Sequence, residues 1–294
     1  MKKFLSILLA VIMTASLLTL ASCGKEEEKA DEGTKVAVGV QNGTTGFFYM
    51  AGDASWGFEG FDNLKVNGYE NGGLAMADLK AGNVKYVVID GDVARELVAK
   101  NEGTKMIEVP LTTESYGVAV DKAQTELLAS INTVLADKAD DVQAIFDKYA
   151  NVNDDNANAW EGATIPAGTV DLDNADKQLV VATNAAFAPF EFKVGNEFAG
   201  IDMEIAKLIA DELGMELVIV DMEFDSITAA LGKNGIDIGL AAMTINPARE
   251  KVVSFSTPYY TEAYQVVVCK SDDTAFDACK STEEVVNVLK NIGK

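Results

Sequence analysis

The chain has 294 residues, 48% of them hydrophobic, and a formal net charge of −22 from 24 Lys+Arg against 46 Asp+Glu. This length suggests about two domains, the apolar content is too high for a disordered chain, and so acidic a surface repels nucleic-acid phosphates. With no histidine and three cysteines, histidine-dependent catalysis, histidine metal sites and a cysteine zinc cluster are excluded, and no cofactor or metal is implied.

Lys2 and Lys3 precede an uncharged stretch from Phe4 to Leu20, and Leu20-Ala21-Ser22-Cys23 follows. A basic head, an apolar middle and small residues before a cut describe a secretory signal over 1–22. Cys at the cut resembles a bacterial lipobox, which makes Cys23 the site of lipid attachment. A plain membrane anchor is the alternative, although the stretch is at the lower limit for spanning. Residues 23–35 are charged and without apolar periodicity, and read as a tether.

The pattern predicts a strand over 36–41, then Asn42-Gly43-Thr44-Thr45-Gly46 and a helix. Further along come a helix over 73–82, a buried strand over 86–90, a helix over 91–100 and a strand over 116–121. Two helices follow, with Leu127, Leu128, Ile131, Val134 and Leu135 on one and Val142, Ile145, Phe146 and Tyr149 on the next. The segment 151–177 breaks this rhythm, since 10 of its residues are Asn or Asp. A run of that kind reads as a linker. The second region predicts a strand over 179–183, a helix over 201–213 ended by Gly214, a strand over 217–220 and a helix over 226–231. Strands over 238–242 and 264–270 and a helix over 283–292 complete it. Strands alternating with helices imply an α/β fold with mostly parallel sheets, and ligands in such sheets sit beyond the carboxyl ends of strands.

Arg249 is one of only two arginines, the other being Arg95. Asn246-Pro247-Ala248-Arg249 looks like a helix start, where a cation opposes the helix dipole. It is there either to grip an anion with its two-pronged guanidinium or as half of a surface ion pair with Glu250 or Glu223. Asp90 ends an apolar strand and either faces an ammonium group or caps the next helix. Gly43-Thr44-Thr45-Gly46 could cradle an anion on backbone amides, but it lacks the Gly-Lys-Ser/Thr ending of a nucleotide loop. Phe187 and Phe224 are either pocket walls or plain core, and Asn184 and Gln41 end their strands as neutral polar groups. Cys269 and Cys279 form a disulfide if their backbones approach closely enough.

Together these positions resemble the amino-acid-binding proteins of ABC importers, solute-binding protein family 3. The resemblance rests on Leu179-Val-Val-Ala-Thr-Asn184-Ala-Ala-Phe187-Ala-Pro-Phe-Glu-Phe, on Gly200-Ile-Asp-Met-Glu-Ile-Ala-Lys, and on Asp237-Ile-Gly-Leu-Ala-Ala-Met243-Thr244-Ile-Asn-Pro-Ala-Arg249. The first region resembles that family's second half, in Val38-Gly-Val-Gln41-Asn-Gly43-Thr44-Thr45-Gly46, Val87-Val-Ile-Asp90 and Glu114-Ser-Tyr-Gly-Val-Ala-Val. The halves stand in reversed order, which implies a circular permutation in which 151–176 joins the family's usual termini. A truncated tandem of two binding proteins is the alternative.

The resemblance implies a two-lobed, type II periplasmic-binding fold with two hinge strands near Ser115 and Gln265. One lobe is 116–150 plus 177–264, and the other is 36–114 plus 266–294. It implies that Arg249 binds a ligand α-carboxylate with Thr244 and the Thr45 backbone, and that Asp90 binds the α-ammonium. Phe187 and Phe224 flank the ligand, and Asn184 faces its side chain. Ala242 stands where the family often has Gly, and Asn184 where an acidic residue is frequent, which favours a neutral amino acid over lysine or arginine. The expectation is a monomeric, non-enzymatic, lipid-anchored capture protein outside the cytoplasm that serves an ABC permease. An amino-acid sensor without transport and a dehydratase on the same scaffold are the alternatives.

Overall fold

The computed structural model describes residues 35–150 and 160–293. The signal segment, Cys23 with nearly all of the tether, and 151–159 of the expected linker lie outside the described residues.

The first region builds β1 (Val36–Gln41), α1 (Thr45–Ala51), β2 (Leu64–Tyr69), α2 (Gly72–Ala81), β3 (Tyr86–Asp90), α3 (Gly91–Lys100) and β4 (Thr104–Met106). Short polar side chains cap its helices: Asn71 accepts from the Leu74 amide and Asp90 from the Asp92 amide, while Gly82 closes α2 at φ 82°. β5 (Glu114–Tyr116) leads into β6 (Ala119–Asp121), α4 (Thr125–Asp137) and α5 (Ala139–Tyr149).

The second region builds β7 (Gln178–Thr183), a small antiparallel sheet of β8 (Ala186–Phe187), β9 (Glu191–Val194) and β10 (Glu197–Ala199), then α6 (Ile201–Leu213) and β11 (Glu216–Asp221). It continues through α7 (Ile227–Ala230), β12 (Ile238–Gly239), β13 (Val253–Phe255), β14 (Tyr260–Ala263), β15 (Gln265–Lys270) and α8 (Thr282–Asn291).

Two five-stranded sheets result, ordered β2-β1-β3-β15-β4 and β11-β7-β12-β6-β13. In each, three parallel strands are followed by one antiparallel strand, β15 in the first and β6 in the second. Each antiparallel strand enters from the half of the chain that builds the other sheet. Both crossings run through a ribbon in which β14 pairs with β5, Tyr260 opposite Tyr116 and Ala263 opposite Glu114.

Side-chain alternation fills both faces of the first sheet. Val38, Val40, Tyr86 and Val88 pack on one face, and Val87, Ile89, Val266 and Val268 on the other. α8 closes the first face with Val285 and Leu289, both fully buried, at about 1.5–3 kcal/mol for each side chain. Its end meets the start of β1. Asn63 Nδ2 donates to the carbonyls of Leu289 (2.8 Å) and Ile292 (2.9 Å), and a Cβ at Gly293 would sit 3.3 Å from Val36 Cγ2.

Several expectations are corrected. The strand expected over 116–121 is two strands, because Gly117 sits where the chain leaves the ribbon, with Ile245 Cδ1 only 3.0 Å from any Cβ placed there. The strand expected over 238–242 stops at Gly239, because Ala242 turns with φ 47°. The helix expected over 226–231 is a 3-10 turn, Phe224–Ser226, running into the short α7. Residues 160–177 are a docked strap. Trp160 stacks on Tyr149 at 4.9 Å, Ile165 and Phe198 exchange two backbone hydrogen bonds of 2.8 Å, and Leu172–Lys177 forms a 3-10 turn. Cys269 and Cys279 are free, which removes the disulfide.

Candidate functional site

The carboxyl ends of β1, β3, β7 and β12 converge on one cavity of about 20 Å³, room for roughly one water. All nine residues expected at the ligand line it: Arg249, Asp90, Thr244, Thr45, Phe187, Phe224, Asn184, Ala242 and Gln41. Direct hydrogen bonds tie the first sheet's wall to the second's. Gln41 Nε2 donates to Asn184 Oδ1 at 3.0 Å, Thr45 Oγ1 to Thr244 Oγ1 at 3.2 Å, and Arg249 Nη2 to the Gly43 carbonyl at 2.9 Å.

Arg249 is 7% exposed. Asn246 Oδ1 accepts from the Ala248 amide as the sequence suggests, but only a 3-10 turn, Arg249–Lys251, follows. Nη1 donates to the Thr244 carbonyl at 2.8 Å, and the guanidinium carbon lies 5.0 Å from the Trp56 ring centre and 5.2 Å from that of Phe224. Among the described residues no carboxylate pairs with it, so the surface ion pair is excluded. Burial pushes its pKa down to about 10, which leaves it charged at neutral pH. Two of its five N–H donors are engaged by carbonyls, which leaves others available to an anion.

Asp90 on the opposite wall is 2% exposed. The capping reading holds. Oδ1 caps α3 by accepting from the Asp92 amide at 3.2 Å, and Oδ2 accepts from the Tyr116 hydroxyl in a short hydrogen bond. Burial holds its carboxyl well above the usual range, and the charges of Glu114 and Asp92 add to the effect. An approaching cation would relieve all three.

Thr244 is less free than expected. Its hydroxyl donates to Glu114 Oε2 at 2.6 Å while accepting from Thr45. Its one proton is engaged, so in this arrangement it offers none to a carboxylate. Ala242 departs from glycine yet takes the conformation glycine favours, φ 47°, and its amide donates to Asp202 Oδ2 at 2.7 Å. Asp202, which also accepts from the Tyr259 hydroxyl at 2.9 Å, is pushed by burial up to about 7.

Three cleft residues escape the sequence pattern. Trp56 stacks on Phe48 at 4.3 Å and covers Arg249 from the first region; nothing in its loop signals this. Tyr116 reads as a strand residue. Glu191 alternates with the buried Phe190 and Phe192 and so reads as exposed, yet it is 1% exposed, lines the cavity, and its Oε2 has no partner among the described residues. Burial raises its pKa well above the ordinary value, with Asp202, Asp221 and Asp90 adding repulsion.

This duplicated sheet topology is that of the type II periplasmic-binding fold, and it brings Arg249 and Asp90 to one cavity. Residues 179–292 match the sequence model of the bacterial extracellular solute-binding proteins, family 3, and through that stretch the chain belongs to the family. It is 40% identical over 100 residues to the arginine-binding extracellular protein ArtP of Bacillus subtilis, covering 34% of this chain and 39% of that one. It is 34% identical over 100 residues to ABC transporter arginine-binding protein 1 of Escherichia coli, covering 34% and 41%. It is 32% identical over 101 residues to the octopine-binding periplasmic protein of Rhizobium meliloti, covering 34% of each. The chain thus spans about two-fifths of the length of the curated relatives it matches. Among the described residues no helix is long and apolar enough to cross a membrane.

Proposed function

We propose that the protein is an extracytoplasmic amino-acid receptor, monomeric and non-enzymatic, which closes on its ligand and delivers it to an ABC permease. A lipid on Cys23 would hold it at the membrane surface. The observation that carries the reading is the pair of buried ionisable groups of opposite sign on opposite walls of one cavity, Arg249 and Asp90. An amino acid brings a carboxylate and an ammonium on one carbon, and so answers both.

The lobes of this reading are 36–114 with 266–294, and 116–150 with 177–264, hinged near Ser115 and Gln265. The order is that of a circular permutation joined through 151–176. Two observations support it. Each sheet is completed by one strand from the other half, and the end of α8 abuts the start of β1. A truncated tandem would leave each sheet without its antiparallel strand. A rearranged chain running 160–294 and then 35–150 should bind the same ligand equally well, and loss of folding in it would overturn the permutation.

For the ligand's side chain, Glu191 favours a cation, because an ionised carboxylate in a closed cleft needs one. The arginine-binding names of two relatives point the same way. A neutral amino acid is the second reading, favoured by the uncharged Gln41–Asn184 pair that closes one end of the cavity. Calorimetric titration of the purified full chain in detergent against the twenty amino acids tests both. Micromolar or tighter binding of arginine or lysine supports the first, and binding of glutamine or another neutral amino acid alone supports the second. No binding to any of them would overturn the receptor reading.

A further inference from the structure

We propose that Tyr116 is a positioning residue for the ligand's amino group: its hydroxyl aims and charges Asp90 from across the hinge. The inference rests on the amino-acid reading of the cleft.

Tyr116 ends β5, one of the two strands of the connecting ribbon, and is 1% exposed. Asp90 ends β3 in the first sheet. Tyr116 O–H donates to Asp90 Oδ2, while Oδ1 is held by the Asp92 amide at 3.2 Å. A carboxylate has about four acceptor positions. Two are engaged here, and the remaining ones serve a group in the cavity that Asp90 and Tyr116 both line. The tyrosine ring is fixed without its hydroxyl, edge-on to Phe190 at 5.2 Å and tilted on Tyr260 at 5.6 Å.

The hydroxyl has a second effect. Asp92, Glu114 and Glu191 all face Asp90 with like charge, and burial adds to their repulsion. Against these the Tyr116 hydrogen bond favours the ionised carboxylate. An ammonium ligand needs that ionised form.

The test compares the full chain with Tyr116→Phe, which keeps the ring. Calorimetry from pH 5 to 9 uses L-arginine, L-glutamine and their des-amino analogues, 5-guanidinovaleric acid and glutaramic acid. Affinity for whichever amino acid binds should fall about tenfold or more, as for loss of a hydrogen bond to a charged group. The acid limb of its affinity profile should move to higher pH. Affinity for the des-amino analogue should not change, or should be too weak to measure in both proteins. An unchanged amino-acid affinity, an unmoved acid limb, or equal losses for amino acid and analogue would overturn the proposal. If the unaltered chain binds neither amino acid, the reading of the cleft fails first and this inference with it.

Discussion

The two sheets share one topology but bring opposite charge to the cleft. The first ends β3 in Asp90 and contributes the turn before α1, whose Gly43 carbonyl accepts from Arg249. The second, past its short β12, contributes Thr244 and Arg249. Burial penalises both charges, moving Asp90 up and Arg249 down, and although Glu114 acts on Arg249 at a distance, neither group has a direct ion pair among the described residues. A duplicated fold need not duplicate its chemistry. On the proposed reading, a molecule that touches both groups would favour closure.

The largest effect should come from breaking the second sheet's side. Arg249→Ala strands the ligand carboxylate, and truncating one partner of a buried charged pair typically costs ~2–5 kcal/mol, roughly 30- to 4,000-fold in affinity. Arg249→Lys should recover only part, because an ammonium cannot make two parallel bonds. Arg95→Ala is the control: Arg95 is half-exposed on α3 and pairs with Asp92 at 2.9 Å, so binding should hold. Calorimetry reads all three. An Arg249→Ala protein that stays folded and keeps affinity within threefold would remove the charge contrast between the sheets.

The halves also differ in how much of each was readable from residues alone. In the first region β1, β3 and α3 match their expected bounds, because each is a continuous apolar or amphipathic run ended by Gly, Asn or Asp. β2 was not expected, since Lys65, Asn67 and Gly68 make its edge strand look like loop. In the second region α6 and β7 were legible, but β12 is only two residues long, and β13 and β14 are too short to show a period. Their places come from pairing with β6 and β5, which lie more than a hundred residues away in sequence. All nine residues expected in the cleft line it, because they end strands or lie in the segments just beyond strand ends, which are local features. Glu191 and Trp56 were hidden because their places in the cleft depend on contacts distant in sequence, Glu191 beside Asp90 and Trp56 over Arg249.

Glu191→Gln sharpens the comparison on the side-chain end of the cleft. If a cation pairs with Glu191, arginine affinity should drop roughly 10- to 100-fold, the range for a hydrogen bond to a charged group. Glutamine affinity should hold or rise, since the variant no longer buries a lone carboxylate. A parallel loss for both ligands in calorimetry would assign Glu191 a purely structural part.

Asp202 gives the second sheet a pH dependence with a defined sign. Its folded pKa of about 7 exceeds the model-peptide value of 3.8. Between those values the native state holds more protons than the unfolded chain, so this group's contribution to stability falls as pH rises from about 4 to 7 and then levels off. Asp202→Asn keeps an acceptor for the Ala242 amide and removes the titration. Urea unfolding midpoints of the variant should therefore decline less than the wild type's across that window. Parallel declines would assign the dependence to other groups.

The smallest expected effect sits next to it. Ala242 holds φ 47° while its amide donates to Asp202. A side chain in the left-handed region costs about 1–2 kcal/mol, whereas glycine loses about 0.5–1 kcal/mol more backbone entropy on folding than alanine. The difference favours Ala242→Gly by about 0–1.5 kcal/mol, and each 1 kcal/mol raises Tm by about 2–4 °C for a chain of this size. The first sheet offers the contrast. Gly39 has ordinary backbone angles, and a Cβ there would lie 3.1 Å from the Tyr69 ring and 3.3 Å from Ala75 Cβ, so Gly39→Ala should lower Tm through crowding. Calorimetric scans of both variants separate the two causes. A Tm for Ala242→Gly at or below that of the parent chain would mean that the surrounding hydrogen bonds, and not the residue's own preference, set this turn.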